Sequence, residues 1–81
     1  MIPVYGFLEG DTMGLLVLLD ETDTVADAIA KLQEAADVRV TPSAQATLIH
    51  RDRTLAPALA IGLAGIEPLD RIDVRVTGNA R

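Results

Sequence analysis

The sequence predicts a small α+β domain in which a mixed sheet of four to five strands packs around one helix. Residues 24–36 are the only stretch with a long helical repeat of apolar positions. Two strand-like runs precede this stretch and two follow it, which gives the order ββαββ. The length of 81 residues allows one domain with a small core, which we place at residues 1–78.

The first two predicted strands form a hairpin that turns at Gly10. The run Gly14–Leu19 is apolar except for its glycine, which favours a strand covered at least in part on both faces. In the run Ile2–Leu8 the inward face stays open, because both alternating sets are apolar. One set is Ile2, Val4 and Leu8, and the other is Pro3, Tyr5 and Phe7.

The helix is predicted to begin after Thr24, which is a favourable N-cap residue. Asp27 stands at the third helical position, where a capping box prefers Glu or Gln. Asp27 also precedes Lys31 by four residues, the favourable order for an ion pair on a helix. The apolar stripe that should face the sheet consists of Val25, Ile29, Leu32 and Ala36. Its expected partners are Leu48, Ile66, Ile72 and Val74.

The second half of the chain predicts two more strands, at residues 46–51 and 71–77. A connection closed by Pro42 leads to the first of them, and a polar turn at 52–54 follows it. Residues 55–63 contain Pro57 and Gly62, so we expect an irregular segment or one short helical turn. The last strand alternates strictly, and residues 79–81 form a frayed tail. Its inward set is Ile72, Val74 and Val76, and its outward set is Arg71, Asp73 and Arg75.

The formal net charge of −5 disfavours a nucleic-acid partner. Residues 1–38 carry eight acids and one lysine, whereas residues 39–81 carry six arginines and four acids. This asymmetry either provides solubility or steers a partner protein. The chain has no cysteine and no apolar run near the length of a membrane span. It also lacks a signal peptide, so a cytoplasmic location is predicted.

No catalytic, metal or cofactor site is predicted. His50 is the only histidine, and no nucleophile or orienting group accompanies it, so a structural or surface role is favoured. The acidic residues 20–23 lack the spacing of a calcium loop and suit the N-terminus of the helix that follows. Asp70 and Asp73 are expected to be solvated.

A protein-binding surface is therefore the remaining candidate. Arg71 and Arg75 flank Asp73 on one strand face, and Arg51 can join them from a neighbouring strand. The alternative is a mixture of charges that keeps the sheet soluble. Tyr5 and Phe7 form a second candidate surface if their rings face outward.

These elements, in this order, resemble ubiquitin and its relatives, which share the β-grasp fold. The similar pieces are FLEGDT at the hairpin, DTVADAIAKLQ at the helix, Pro42, Thr54-Leu55 and AGIEPLDRIDVRV at the end. The apolar recognition patch of ubiquitin is mostly missing: Leu8 and Ile49 occupy two of its places, but Asp73 and Arg75 stand where a histidine and a valine are expected. Ile49 is one of the candidate binding residues. The chain ends Gly78-Asn79-Ala80-Arg81 without a terminal Gly-Gly, which disfavours a sulfur carrier or a conjugated modifier.

A second set of motifs runs along most of the chain. They are Ile2-Pro3-Val4, Glu9 with Asp11, Asp20, Asp23-Thr24, Val40-Thr41-Pro42, His50-Arg51, Gly65-Ile66-Glu67-Pro68 and Ile72-Asp73-Val74. Through these motifs the chain most resembles the small non-catalytic subunit of multicomponent toluene and related aromatic monooxygenases. This resemblance implies an accessory subunit that docks on a larger diiron hydroxylase, which holds the metal, in aromatic hydrocarbon catabolism. The alternative is a free-standing ubiquitin-like adaptor of the kind associated with type VII secretion.

Overall fold

The computed structural model describes residues 1–10, 14–36 and 45–76, which form one sheet and one helix. The sheet has the strand order β2-β1-β5-β3-β4. The elements in chain order are β1 (Ile2–Leu8), β2 (Gly14–Leu19), α1 (Val25–Ala35), β3 (Ala46–His50), β4 (Arg53–Leu55), a 3₁₀ turn (Ile61–Leu63) and β5 (Arg71–Val76).

The sheet is mixed, as predicted. β1 pairs antiparallel with β2 and parallel with β5, while β3 pairs antiparallel with both β5 and β4. The predicted polar turn at 52–54 is wrong in part, because residues 53–55 form the fifth strand. Arg51 and Asp52 alone reverse the chain, with φ angles of 53° and 65°. Positive φ at both central residues is typical of a β-hairpin with a two-residue loop.

Helix α1 begins as predicted. The Thr24 hydroxyl accepts the Asp27 N–H, and the Asp27 carboxylate accepts the Thr24 N–H, so Asp27 completes a capping box. The predicted ion pair between Asp27 and Lys31 is wrong, because Lys31 pairs with a different carboxylate. The Lys31 ammonium instead lies 2.6 Å from the Asp23 carboxylate, because the carboxylate of Asp27 is engaged at the cap.

The irregular segment after β4 caps the N-terminal end of α1 with its backbone carbonyls. The carbonyls of Leu59 and Pro57 accept the N–H groups of Val25 and Ala26, at 2.8 and 3.0 Å. These N–H groups have no partner inside the helix, so the segment satisfies them.

The core lies between α1 and one face of the sheet. All four residues of the predicted helical stripe are buried, and so are their four predicted partners. In β1 the inward residues are Val4, Gly6 and Leu8, which settles the face that the sequence left open. Gly6 lies directly beneath Leu32, so closely that a Cβ at Gly6 would overlap the Leu32 side chain. The glycine allows the helix to approach the sheet.

Strand β2 departs from its prediction. Its outward residues Leu16 and Leu18 are 60% and 54% exposed, so coverage on both faces is wrong. The reason is that α1 covers only one face of the sheet, and β2 is its edge strand. Val76, predicted to point inward, is likewise 36% exposed, at the end of β5.

Several predicted features lie outside the described residues. They are the Asp11-Thr12 part of the hairpin turn, the connection with Pro42, Thr77 and the tail at 79–81. Within the described residues, no helix is long and apolar enough to cross a membrane.

Candidate protein-interaction surface

The outer face is the side of the sheet turned away from α1. Strand register places Tyr5 between Leu16 on β2 and Arg71 on β5, and places Asp73 between Phe7 and Ile49. Six of the seven predicted binding residues therefore share one continuous surface, and Arg51 borders it from the turn after β3. The outer face comprises Tyr5, Phe7, Leu16, Leu18, Ile49, Arg71, Asp73 and Arg75.

One half of the outer face is apolar. We call Tyr5, Leu16 and Leu18 the apolar patch; their exposed fractions are 44%, 60% and 54%. Tyr5 and Leu16 are cross-strand partners, and Leu18 lies opposite Pro3, so the side chains stand on adjacent strands. An apolar patch of this kind marks an interaction surface more often than an isolated exposed residue does.

Arg71 joins the apolar half of the face to the charged half. Its guanidinium carbon lies 4.2 Å from the centre of the Phe7 ring. Its Nη2 donates to the Asp73 carboxylate at 3.1 Å, and its side chain remains 65% exposed. The aromatic ring and the carboxylate hold the guanidinium in one orientation while leaving it accessible. An arginine ordered in this way loses little conformational freedom when a partner binds.

The charged half is a groove across β5 and β3. It is lined by Ile49, Arg51, Asp52, Arg71, Asp73 and Arg75. Within the described residues, no ion pair engages the Arg75 guanidinium, whereas Arg51 lies 3.4 Å from the Asp70 carboxylate and 4.0 Å from that of Glu67. Three arginines against the two carboxylates of Asp52 and Asp73 give this groove a formal excess of one positive charge, on a chain whose net charge is −5.

His50 and Asp70 form a separate pair at the sheet's inner side. His50 is 2% exposed, and its Nε2 lies 2.9 Å from Asp70 Oδ2. That oxygen also accepts the Glu67 N–H at 3.0 Å, and these two bonds, with the Arg51 charge nearby, lower the pKa of Asp70. The expectation that Asp70 is merely solvated is therefore wrong. The pair fastens the turn before β5 to the end of β3.

Asp20 and Asp23, which follow β2, are engaged by hydrogen bonds in the turn before the helix. Asp20 accepts both the N–H and the hydroxyl of Thr22, at 3.1 and 3.0 Å, which lowers its pKa. The bond from Lys31 lowers the pKa of Asp23 and raises the pKa of Lys31. In the described part of the chain, no group of three or more metal-binding side chains converges.

The sequence did not reveal Leu16 and Leu18 as members of the outer face. Their signal was present in the unbroken apolar run, which fits an exposed strand with apolar residues on both sides as well as a buried one. Leu69 was also missed. It is 59% exposed at a φ of 67°, and its N–H donates at 2.6 Å to the carbonyl of Pro3, the residue that lies opposite Leu18.

The family model for toluene-4-monooxygenase system protein B (TmoB) matches residues 1–76. The chain belongs to this family. The match spans all the elements described above and confirms the resemblance seen in the sequence. A search of curated proteins finds no match.

Solved structures agree with the fold of this system protein B family member. A chain of the toluene 4-monooxygenase HD complex with the inhibitor 4-bromobenzoate is 23% identical with a TM-score of 0.85, and the match covers 93% of this chain and 96% of that one. Caldiarchaeum subterraneum ubiquitin is 14% identical with a TM-score of 0.76, covering 99% and 98%. The ubiquitin-like domain of an Arabidopsis thaliana protein is 22% identical with a TM-score of 0.77, covering 99% and 81%. The ubiquitin-like α+β fold is thereby confirmed.

Proposed function

We propose that this accessory subunit of a multicomponent monooxygenase binds its larger hydroxylase partner through the outer face of its sheet. Membership in the system protein B family confirms the accessory role and favours it over a secretion adaptor or a modifier. The observation that supports the outer face is its composition. An exposed apolar patch adjoins an arginine that is ordered by Phe7 and Asp73 yet accessible.

The chemistry of the outer face defines the partner surface that fits it. The apolar patch favours aliphatic or aromatic side chains, and the arginine groove favours carboxylates. Asp52 and Asp73 lie in the groove with the arginines, whereas the turn before α1 and the exposed side of α1 carry five acids against Lys31: Asp20, Glu21, Asp23, Asp27 and Glu34. A partner with an acidic surface is attracted in one orientation.

We propose a structural rather than catalytic contribution to the complex. The single histidine is buried and bonded to Asp70, so it has no access to a substrate. This arrangement supports a role in binding, with the diiron chemistry in the hydroxylase. A cytoplasmic location belongs to the same proposal.

Binding of purified variants to the hydroxylase from the same cells tests the outer face. Arg71→Ala should weaken binding by about tenfold or more, as expected for an arginine anchor. Arg53→Ala is the matched control, because Arg53 lies opposite the inward-facing His50 and so projects from the other face of the sheet. Equal affinities for the two variants would place the interface elsewhere, and no binding by the unmodified chain would contradict the proposal altogether.

A further inference from the structure

The two edges of the sheet differ in their protection. At one edge, β4 has only three residues, and they include an exposed arginine and an exposed threonine. Short length and charge are the usual devices that stop a strand edge from pairing with another chain. At the other edge, β2 has six residues with the sequence GLLVLL, which contains neither a charge nor a proline.

The hydrogen-bonding groups of β2 that face outward can be assigned from the ladder. Tyr5 and Glu9 donate their N–H groups to Asp70 and Val74, both at 2.9 Å, so odd-numbered residues of β1 face β5. The even-numbered residues of β1 therefore bond to β2, where Val4 and Gly6 pair with Val17 and Leu15.

It follows that the N–H and C=O groups of Leu16 and Leu18 point away from β1, into the open edge. The described part of the chain places no strand beyond β2. The same two leucines carry the exposed side chains of the apolar patch. Free backbone groups and apolar side chains thus coincide at one edge, which is the combination that an added strand requires.

We propose that an extended segment of the hydroxylase pairs with the edge of β2 as a sixth strand; this inference rests on the proposed function. Only an extended backbone satisfies alternate N–H and C=O groups along a strand edge. Apolar side chains at every second position of the segment cover Leu16 and Leu18 from the outer side. A basic residue suits the end of the segment beside Glu21, which is exposed just beyond β2.

A comparison of two substitutions at one position separates strand pairing from side-chain contact. Leu16→Pro removes the outward N–H, and the strand tolerates proline because that N–H makes no bond within the sheet. Leu16→Ala removes the leucine side chain but keeps the N–H. For the hydroxylase purified from the same cells, Leu16→Pro should weaken binding at least about tenfold more than Leu16→Ala.

Hydrogen exchange gives an independent readout on the unmodified chain. In the free protein, the amides of Leu16 and Leu18 should exchange rapidly, and those of Leu15 and Val17 slowly. Binding of the hydroxylase should slow Leu16 and Leu18. If Leu16→Pro perturbs folding by circular dichroism, Leu18→Pro against Leu18→Ala replaces it, since the Leu18 N–H also points into the open edge.

The outcomes separate this inference from the proposed function. If Leu16→Pro and Leu16→Ala bind the hydroxylase with equal affinity while Arg71→Ala binds weakly, the outer face is still the binding surface. The addition of a strand to β2 is then overturned. If the edge serves a second copy of this chain, the free protein sediments as a dimer, Leu16→Pro makes it a monomer, and hydroxylase affinity does not fall. That result also overturns the inference.

Discussion

His50 Nε2 lies 2.9 Å from Asp70 Oδ2, and this bond connects the end of β3 to the turn that precedes β5. Because the pKa of Asp70 is lowered in the folded state, its carboxylate stabilises the fold above the ordinary value of 3.8, and this contribution is lost as the pH falls below that value. We therefore expect Asp70→Asn to lower the urea midpoint at pH 7, and this deficit to shrink as the pH falls below 3.8.

The control for this titration is Glu34→Gln, which removes one negative charge from the exposed side of α1. If the Asp70→Asn variant has the same decrease in urea midpoint at pH 7 and at pH 3, the side chain stabilises the fold through its shape and not through its charge.

Neighbouring residues on α1 should differ sharply in their effect on stability. Leu32 is fully buried against Gly6, so Leu32→Asp places an unpaired charge in the core at a cost of about 4 kcal/mol or more, which unfolds a domain this small. Lys31→Ala removes only a partly exposed ion pair with Asp23 and should barely change the melting temperature. Equal melting temperatures for the two variants would contradict this assignment of the core.

Leu69 has a backbone conformation that favours glycine. At a φ of 67°, a leucine is strained by its Cβ, and its exposed side chain gives little packing in return. Leu69→Gly should raise the free energy of unfolding by about 1 kcal/mol, measured in urea. Leu69→Ala keeps the Cβ and should show no such gain, so equal stabilities of the two variants would mean that the turn stores no strain.

Leu69 bonds to Pro3, the residue opposite Leu18 of the apolar patch, so a role in the same interface would explain why an exposed leucine occupies a strained position. We expect Leu69→Gly to weaken binding of the hydroxylase even as it stabilises the free chain. If Leu69→Gly is more stable and binds the hydroxylase with unchanged affinity, Leu69 is not part of the interface.

Arg71 should not be replaceable by lysine. A lysine keeps the positive charge but lacks the planar guanidinium that lies over Phe7 while bonding to Asp73. Arg71→Lys should therefore lose most of the affinity that Arg71→Ala loses, as measured by titration with the hydroxylase. A conservative change at Arg53 serves as the control, and full affinity in Arg71→Lys would reduce the role of this residue to charge alone.

Features encoded by local periodicity were predictable from the sequence. Thr24 and the apolar stripe of α1 define the helix within one short stretch, and the alternation of β5 assigns its two faces directly. Strand β4 was not predictable, because it depends on a turn formed by Arg51 and Asp52 in place of the usual Asn-Gly.

Features that depend on how distant elements pack, or on which of two acids pairs with one lysine, were also not predictable from the sequence. The inward face of β1 depends on Gly6, a residue without a side chain, because only glycine leaves room for Leu32. The exposure of Leu16 depends on the packing of α1 against only one face of the sheet, which the apolar run of β2 does not encode. Lys31 pairs with Asp23 because the helix cap already engages Asp27.

The unequal protection of the two sheet edges also has a consequence for the cell. A strand edge without charge or proline is a template for self-association whenever its partner is scarce. We expect the chain made alone in excess to precipitate or to be degraded, and Leu18→Lys to rescue its yield. If this is so, synthesis of the subunit has to keep pace with that of its partner, because the six residues of β2 leave the unpaired chain prone to self-association.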